Sequence, residues 1–538
     1  MKNNFLLSLL CVTGTSLSVI AQDQKNVILI LADDLGFSDL NCYGGEICTP
    51  NIDRLANEGI KATQMYNSAR SCPSRASLMT GLYPHQVGVG GMTNIRVAID
   101  PKKPIGYAGF RLDNNVTIAE LMKDAGYYTA MSGKWHLGTQ KPTERGFDDY
   151  YGMLGGFNTM WSEKPYSRHP KGAETIELKK PFYATNALTD YAIHFVNKAH
   201  KLDKPLFLYL AYNAPHFPLH APKEVTDKYM EIYMKGWDVL RDERFKKMAK
   251  LRLFQSKVKM SPRGDVPGSL FVKESYELPA WDELTEEQQK DLARRMAIFA
   301  AMVDVMDTNI GRLLDELESI GELDNTIILF TSDNGACAEW HEFGFDKKTG
   351  VEYHTHTGDE LDKMGLEGSY HHYGTGWANL GTTPFSLYKH YTHEGGISAP
   401  FIMWQAAKTK ISGKKNINHT PCHITDIMMT CLDIAGTEYP KVYKDRKLET
   451  CTGRSLMPFF SKKKIEDRVI FAEHEGNRMI RDGKWKLVST KYLGGKWELY
   501  NIEKDRTEQH DLSEKHPDLV DKMSKMYNEW AKTSHVGR

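Results

Sequence analysis

The sequence predicts an α/β fold in which a large mixed, mostly parallel sheet is flanked by helices. Three short apolar runs end directly in polar residues: Val27 to Leu31 before Asp33-Asp34, Leu206 to Tyr212 before Asn213, and Thr326 to Phe330 before Asp333. Runs of this length, dense in Ile, Val and Leu, are typical of strands buried on both faces of a parallel sheet. Helical patterns lie between the runs, and this alternation favours an α/β sandwich.

The polar residues at the ends of these strands are expected to meet, because ligand crevices in open α/β sheets lie beyond the carboxyl ends of the strands. Asp33, Asp34 and Asp333 would repel one another without a cation, and Asn334 adds an amide oxygen. Flexible oxygen-only ligands favour calcium over magnesium, which demands stricter octahedral geometry. The alternative is that Asp33-Asp34 only caps a helix and that Asp333-Asn334-Gly335 only forms a turn.

A long helix is predicted to begin after Thr285. Gln288 follows at the spacing of a capping box, and apolar residues then recur every three or four positions: Leu292, Met296, Phe299, Val303, Met306, Ile310 and Leu313. One apolar stripe of this kind is typical of a helix that faces the core.

From about Arg468 the sequence predicts a smaller unit. Short strand candidates are separated by Asp-Gly and Gly-Gly turns, and a helical pattern follows them: Val469 to Ala472, Trp485 to Val488, Trp497 to Tyr500, and the helix Pro517 to Trp530. We expect a small antiparallel sheet with a helix over residues 466–538, packed on a main domain of residues 22–465. Trp485 and Trp497 are expected in the core of the small unit.

Composition and the first residues indicate an exported protein that does not act on nucleic acid. The 69 basic residues balance 69 acidic ones, so no charge excess indicates a nucleic-acid partner. Residues 1–21 are typical of a secretory signal peptide, with Lys2, an apolar stretch and Ala21 before a cut ahead of Gln22. Leu10 before Cys11 argues against a lipoprotein. No later run approaches the ~20 apolar residues of a membrane span, so we expect a soluble, exported protein, periplasmic in a Gram-negative source.

The cysteines form neither a dense disulfide framework nor a zinc spacing. The chain has eight cysteines, and the odd number left after removal of Cys11 implies at least one that is unpaired within the chain. Pairing of Cys42 with Cys48, or of Cys422 with Cys431 or Cys451, stays open.

The most informative segment is Ala-Arg-Ser-Cys-Pro-Ser-Arg-Ala-Ser-Leu-Met-Thr-Gly at residues 69–81. Ser71 lies two residues before Pro73 and four before Arg75, whereas Cys72 touches the proline directly. On its own the segment also fits an ordinary Ser-Pro turn before a helix.

Three further segments offer cations and proton carriers. They are Gly133-Lys134-Trp135-His136 after a strand-like run, Pro215-His216-Phe217-Pro218 after another, and Lys389 ahead of His393-Glu394-Gly395-Gly396. Taken singly, each His fits a hydrogen-bonded structural role and each Lys a solvated one.

Together these segments resemble the pattern of type I sulfatases, in the same order and over essentially the whole mature chain. In that family a Ser or Cys two residues before Pro is oxidised to formylglycine, so the spacing marks Ser71 and a serine-type site. The segment from Thr383 to Gly396 is most similar to the bacterial arylsulfatase-like branch. The resemblance implies an alkaline-phosphatase-like α/β fold, sulfatase activity and a formylglycine-generating maturation enzyme as a partner.

The resemblance also implies the nucleophile and the metal. Ser71, as hydrated formylglycine, would attack sulfur through one hydroxyl and form a sulfated enzyme. The second hydroxyl would then let the aldehyde re-form and expel sulfate. One calcium ion, held by Asp33, Asp34, Asp333, Asn334 and residue 71 itself, would polarise the sulfate oxygens.

The implied roles of the cations and histidines follow the charge that develops during the reaction. Arg75 and Lys134 would hold the hydrated aldehyde, and His136 would take a proton during sulfate release. His216 and Lys389 would grip the sulfate, one of them protonating the leaving oxygen. Positive groups fixed around the leaving oxygen are worth most in the transition state.

The substrate is the least specified part of the prediction. Export and a serine-type site indicate O-sulfated sugars of host or environmental glycans, with a galactose-type sulfate as the first choice and an anaerobic source. Candidates for binding sugar hydroxyls are Arg70, Glu339, His371 and His372, with Trp377 in the same Gly-rich region. Arg70 and Glu339 fit surface salt bridges equally well.

Two other functions stay open at this point. One is a phosphodiesterase or phosphonate hydrolase of the same superfamily, against which the Gly-Lys-x-His and Lys-x₄-Glu-Gly-Gly segments favour sulfate. The other is a catalytically silent glycan-binding protein in which Ser71 stays serine, although every candidate catalytic position is filled.

Overall fold

The computed structural model describes residues 24–537 except 94–95, 267–274, 340, 348–351, 407–415, 462 and 492–493. The predicted signal peptide, residues 1–21, lies outside the described residues. In the described part of the chain, no helix is both long enough and apolar enough to span a membrane.

The strands in chain order are β1 Asn26–Ala32, β2 Ile60–Tyr66, β3 Tyr128–Lys134, β4 Asp149–Met153, β5 Ser167–His169, β6 Leu206–Ala211, β7 Asp265–Val266, β8 Tyr276–Glu277, β9 Thr326–Ser332, β10 Ser398–Gln405, β11 Ile417–Asn418, β12 Cys422–His423, β13 Val442–Tyr443, β14 Arg446–Lys447, β15 Ile470–His474, β16 Asn477–Asp482, β17 Trp485–Ser489 and β18 Glu498–Asn501.

The α-helices are α1 Pro50–Glu58, α2 Ser71–Thr80, α3 Ile118–Asp124, α4 Ala184–Lys201, α5 Lys223–Thr226, α6 Met230–Tyr233, α7 Gly236–Leu251, α8 Glu286–Ser319, α9 Asp359–Lys363, α10 Gly374–Gly381, α11 Glu394–Ile397, α12 Asp426–Ala435, α13 Pro458–Ser461 and α14 Pro517–Thr533.

A mixed, mostly parallel sheet forms the centre of the molecule, as predicted. Its order is β11-β2-β10-β9-β1-β6-β3-β4-β5, with β12 also paired to β2. The antiparallel pairs are β10 with β2, β10 with β9, and β4 with β5. The register aligns Ala32 with Ser332, so the polar residues that follow β1 and β9 emerge side by side at one edge of the sheet.

Helices cover both faces of this sheet because its central strands are apolar on both sides. Ile28 and Ile30 pack with the stripe of α8, in which all seven predicted positions from Leu292 to Leu313 are buried. Val27, Leu29 and Leu31 pack with α2, α3 and α12 on the other face. The predicted capping box of α8 is present, with the Gln288 N–H 3.3 Å from the Thr285 hydroxyl oxygen.

The C-terminal unit is an antiparallel sheet in the order β15-β16-β17-β18. One face packs on the main domain through Met479 and Val488 against Tyr66. The other face packs on α14, and Trp485 and Trp497 lie against that cluster, as predicted. Strand β16 was not predicted, because its sequence Asn-Arg-Met-Ile-Arg-Asp is polar at both ends. The seven described cysteines are free thiols, so none of the three candidate pairs is formed.

Candidate active site

Residues at the ends of three strands converge beyond the carboxyl edge of the main sheet. Asp33 and Asp34 follow β1, Asp333 and Asn334 follow β9, and Lys134 ends β3, which lies two strands from β1. All five side chains are buried. The parallel register therefore brings together the residues that the motifs placed far apart in the chain.

Three buried cations each pair with a different carboxylate of this group. The Lys134 ammonium lies 2.5 Å from Asp33, the Arg75 guanidinium 2.9 Å from Asp333, and the Lys389 ammonium 3.0 Å from Asp34. Burial raises the pKa of Asp33, whereas Lys389 and His216 outweigh burial and hold the pKa of Asp34 below its usual value. The site is thus a dense set of mutually neutralising charges.

The oxygen atoms around these carboxylates fit a hard divalent cation. Asn334 donates through its amide nitrogen to Asp34 at 2.7 Å, which leaves its amide oxygen for another partner. Among the described residues, neither that oxygen nor Oδ1 of Asp33 has a hydrogen-bond partner, although both are buried. Buried acceptors without partners are costly, and oxygens of carboxylates and amides are the ligands that calcium prefers.

Ser71 is the first residue of α2 and lies against the same group. Its hydroxyl accepts a hydrogen bond of 2.9 Å from Nε of Arg75, one turn along the helix. Nε and Nη2 of the same guanidinium also bind Asp333. Cys72 is directed elsewhere, with its sulfur 3.4 Å from the Thr93 hydroxyl. The local geometry thus agrees with Ser71 rather than Cys72 as the residue that faces the charged cluster.

The two candidate histidines are buried beside the cations. Burial, together with Lys134 and Arg75, lowers the pKa of His136 well below its usual value, and Nδ1 of His136 has no partner among the described residues. His216 donates from Nδ1 to the Phe217 carbonyl at 2.6 Å and places Nε2 at 3.4 Å from Asp34. Burial lowers the pKa of His216 to about 3.

The rim of the site contains two of the candidate sugar-binding residues. Glu339 lies 3.2 Å from the Lys389 ammonium, and Lys389 lowers the pKa of Glu339 well below its usual value although burial opposes this. Arg70, immediately before Ser71, contacts the His390 ring. Both side chains thus belong to the same ionic network as the catalytic candidates.

The structure separates the other candidates. His372 lies near the site and is stacked on Phe345. Burial lowers the pKa of His372 to about 3, although the charges of Glu339 and Asp34 act to raise it. His371 instead hydrogen-bonds Asp346. Trp377 is fully buried and donates to the Leu292 carbonyl, so it is a core residue and not a sugar contact.

Sequence reasoning missed several residues at this site. The His390 ring lies 3.7 Å from the carboxylate of Glu475, and this contact brings the small C-terminal sheet to the rim. The sulfur of Cys337 lies 3.6 Å from the Lys389 ammonium. His390 directly follows the candidate Lys389 in sequence, which was the available signal. Nothing in the local sequence distinguishes Glu475 from any exposed turn residue.

Comparison with known proteins gives consistent matches along the chain. Residues 25–437 match the family model described as Sulfatase. An uncharacterized sulfatase of Schizosaccharomyces pombe is 33% identical over 531 residues, covering 94% of this chain and 93% of the relative. An arylsulfatase of Klebsiella aerogenes is 32% identical and covers 81% of this chain and 92% of its own. An N-acetylglucosamine-6-O-sulfatase of Bacteroides thetaiotaomicron is 31% identical, with 65% of each chain covered.

A similar solved structure is that of Ps i-CgsB in complex with k-i-k-neocarrahexaose. It is 26% identical, covers 94% of this chain and 93% of its own, and superposes with a TM-score of 0.65.

Proposed function

This chain belongs to the sulfatase family and is a sulfuric ester hydrolase with the predicted alkaline-phosphatase-like fold, and we propose that it removes sulfate from sugars through an aldehyde made from Ser71. The observation that carries the proposal is the position of Ser71: it begins a buried helix, and its hydroxyl accepts a hydrogen bond from Nε of Arg75, which also binds Asp333 of the carboxylate group. A serine in an ordinary turn has no need of such surroundings.

Two groups supply the chemistry at this position. Calcium, bound to Asp33, Asp34, Asp333, Asn334 and residue 71, would supply Lewis-acid polarisation of the sulfate ester. Two-electron oxidation of Ser71 by a maturation enzyme would supply a hydrated aldehyde, whose second hydroxyl allows release of sulfate where a serine ester would be trapped.

The side chains of this chain then hold and neutralise the reacting atoms. Arg75 fixes the oxygen of residue 71 through Nε while Asp333 fixes the guanidinium itself. Lys134 holds its charge 2.5 Å from Asp33. His136, neutral because its pKa is lowered, has Nδ1 as a buried acceptor for the proton that must leave when the aldehyde re-forms.

Lys389 is the better of the two candidates for the leaving oxygen. Burial lowers the pKa of His216 to about 3, so its ring is neutral at neutral pH. Asp34 and Glu339, against the effect of burial, keep Lys389 protonated. An ammonium fixed beside the oxygen that gains charge stabilises the transition state more than the substrate.

The substrate class that we propose is O-sulfated sugar, with a galactose-type sulfate as the first choice. Support for the broader class, sugar sulfates, comes from the oligosaccharide ligand of the 26% identical structure and from the N-acetylglucosamine sulfate named for the Bacteroides relative. Arg70, Glu339 and His372, at the rim of the site, are the side chains that would meet sugar hydroxyls. We further propose export, with a signal peptide cut before Gln22.

Mass spectrometry of protein purified from its native host tests both proposals. The peptide that carries Ser71 should be two hydrogens lighter than its sequence mass and should react with a carbonyl reagent. The N-terminal peptide of the same sample should begin at Gln22. Unmodified serine in an active preparation would contradict the aldehyde mechanism, and Ser71→Ala should be inactive towards a sulfated sugar while Cys72→Ala keeps activity.

A further inference from the structure

A second cluster of metal-ligand side chains lies apart from the catalytic one. One ring nitrogen each of His356 and His371 and one carboxylate oxygen of Asp346 lie within 4.8 Å of one another. The ring centroids of His356 and His371 are 4.9 Å apart, and the rings are perpendicular. These atoms come from two segments that are brought together on the helix α8.

Buried carboxylates orient both imidazole rings. Nδ1 of His356 lies 2.7 Å from Oδ1 of Asp291, and Nδ1 of His371 lies 2.8 Å from Oδ1 of Asp346. The side chain of Asp291 is fully buried and that of Asp346 is 10% exposed. A carboxylate in the position of Asp291 is a usual partner of a metal-binding histidine, because it fixes the ring and raises its basicity.

The charges of the cluster do not balance without a further cation. Arg295 is fully buried and pairs with Asp291 at 2.8 Å and with Asp346 at 2.6 Å. Two carboxylates against one guanidinium leave one negative charge beside two imidazoles. Asp346 and His356 are partly exposed, but a negative charge that is largely shielded from water and has no balancing cation is still costly. The cluster therefore favours either a bound cation or a protonated ring.

We propose that His356, His371 and Asp346 bind a divalent transition-metal ion of the zinc type. Imidazole nitrogen with one carboxylate oxygen is a ligand set suited to zinc, in contrast to the oxygen-only set around Asp33 that suits calcium. The ion takes the place of the proton shared by His371 and Asp346, and that proton is released to solvent. His371 is then a metal ligand and not a sugar contact.

The ion would stabilise the segment beside the catalytic site that carries His372. Arg295, which holds both carboxylates, also donates to the backbone carbonyls of His372 at 2.9 Å and His354 at 3.1 Å. A metal ion that fixes Asp346 and His371 therefore also fixes the segment that carries His372. Binding to the folded state alone should raise the melting temperature.

Zinc content per chain in calcium-saturated protein tests the proposal. Protein freed of transition metals is titrated with Zn²⁺, passed through a desalting column and analysed for zinc and calcium. The wild type should retain one zinc more than His356→Ala and His371→Ala. The control His200→Ala, which removes a half-exposed ring on α4, should match the wild type. Zinc should raise the melting temperature by several degrees in the wild type and the control only.

Two results would overturn the proposal. Equal zinc retention in all four proteins would place any zinc at other sites, such as the cluster of His390, His474 and Glu475. Retention of zinc by none of the four proteins, with wild-type melting unaffected by Zn²⁺, would indicate that a protonated ring supplies the missing charge. If the alanine variants do not fold, His356→Gln keeps a hydrogen-bonding side chain beside Asp291 without an imidazole and should still bind one zinc less.

Discussion

Arg75, Lys134 and Lys389 each hold one carboxylate of the same buried group, so none of them can be changed without affecting a neighbour. Removing one partner of a buried ion pair leaves an uncompensated charge, which costs roughly 3–5 kcal/mol. A simple loss of activity would therefore not separate a catalytic role from a structural one. Useful predictions at this scale compare substrates or kinetic constants within one variant.

Replacing Lys389 by methionine keeps the length of the side chain and removes its charge. We expect kcat/KM to fall about 10²–10³-fold for a sugar sulfate, as for the loss of one donor that stabilises a developing anion. The fall should be clearly smaller for nitrophenyl sulfate, because nitrophenolate needs less stabilisation as it leaves. Steady-state kinetics with both substrates checks this, with the exposed Lys228→Met as control. Equal losses on both substrates would mean that Lys389 does not act at the leaving oxygen.

Arg70 offers a different test, because its proposed role is binding of the sugar. The change Arg70→Ala should raise KM for a sulfated oligosaccharide about tenfold, in line with the loss of one charged hydrogen bond. The kcat for that substrate and both constants for an aryl sulfate should change little, since the Arg70 side chain contacts the His390 ring. A matching rise in KM for the aryl sulfate would instead indicate that Arg70 binds the sulfate group itself. Arg54→Ala, on the surface of α1, is the control.

At the scale of elements, the loop after β4 lies close to the ring of His136, a catalytic candidate. A methyl group added at Gly156 would lie 2.7 Å from Cε1 and Nε2 of His136, whereas the adjacent Gly155 has no atom within 4 Å of the same position. The change Gly156→Ala should displace the ring, which is the end of a flexible side chain, and leave the backbone in place. We expect kcat to fall by about two orders of magnitude, the lower end of the range for loss of a general acid–base group, with an almost unchanged melting temperature.

The variant Gly155→Ala is the matched control and should keep wild-type kinetics. If the two variants have the same kcat, His136 either moves without cost or takes no part in the reaction. A fall in melting temperature of Gly156→Ala alone would show that the loop, rather than the ring, gives way.

The strands that carry the site could be predicted because each signal is local. An apolar run followed by Asp33-Asp34 or Asp333-Asn334 specifies both a buried strand and the polar residues beyond its end. The parallel register then brings the two ends together without further information. The helix α8 was predictable for the same reason, since its cap and its apolar stripe lie within one segment.

Features that depend on long-range packing could not be predicted. Trp377 is buried against Trp237 and Trp281. The three tryptophans lie on separate segments of the chain, and no local sequence pattern predicts that these segments meet. Arg244 lies in a basic segment that on its own is typical of a solvated helix face, but it is buried and pairs with Asp39 and Glu46. Strand β16 could not be predicted because both of its ends are polar. Arg481 in this strand is buried, and Gln64 and Tyr66 of the main sheet accept its hydrogen bonds.

At the scale of the whole molecule, a buried ionic network joins the main domain to the small C-terminal sheet. Glu394 of α11 accepts from Lys486 of β17 at 3.0 Å and from Arg506 at 3.0 Å. Tyr66 of the main sheet donates to the same carboxylate at 2.9 Å. Glu508 lies 2.7 Å from the same lysine, and burial raises its pKa. The contact that brings Glu475 to the active-site rim therefore depends on charges enclosed between the two units.

This network predicts a specific dependence of stability on pH. Lys486 and Arg506 outweigh burial and lower the pKa of Glu394 from 4.5 to about 2. A lowered carboxyl pKa contributes stability that is complete above the unfolded value and is lost as pH falls towards the folded value. The change Glu394→Gln should therefore destabilise the protein by about 3–5 kcal/mol at neutral pH, and its deficit relative to the wild type should shrink as pH falls from about 4.5 towards 2.

Thermal unfolding of the two proteins between pH 7 and pH 3 measures this deficit directly. The exposed Glu514→Gln should follow the wild type at every pH, because its carboxyl is solvated in both states. A deficit for Glu394→Gln that stays constant down to pH 3 would mean that Glu394 is not the charged member of the network. Lys486 would then pair chiefly with a charged Glu508. The Glu394→Gln variant should also be less active than the wild type wherever it is less stable. The reason is that Glu475 reaches the rim of the site only while the small sheet stays docked.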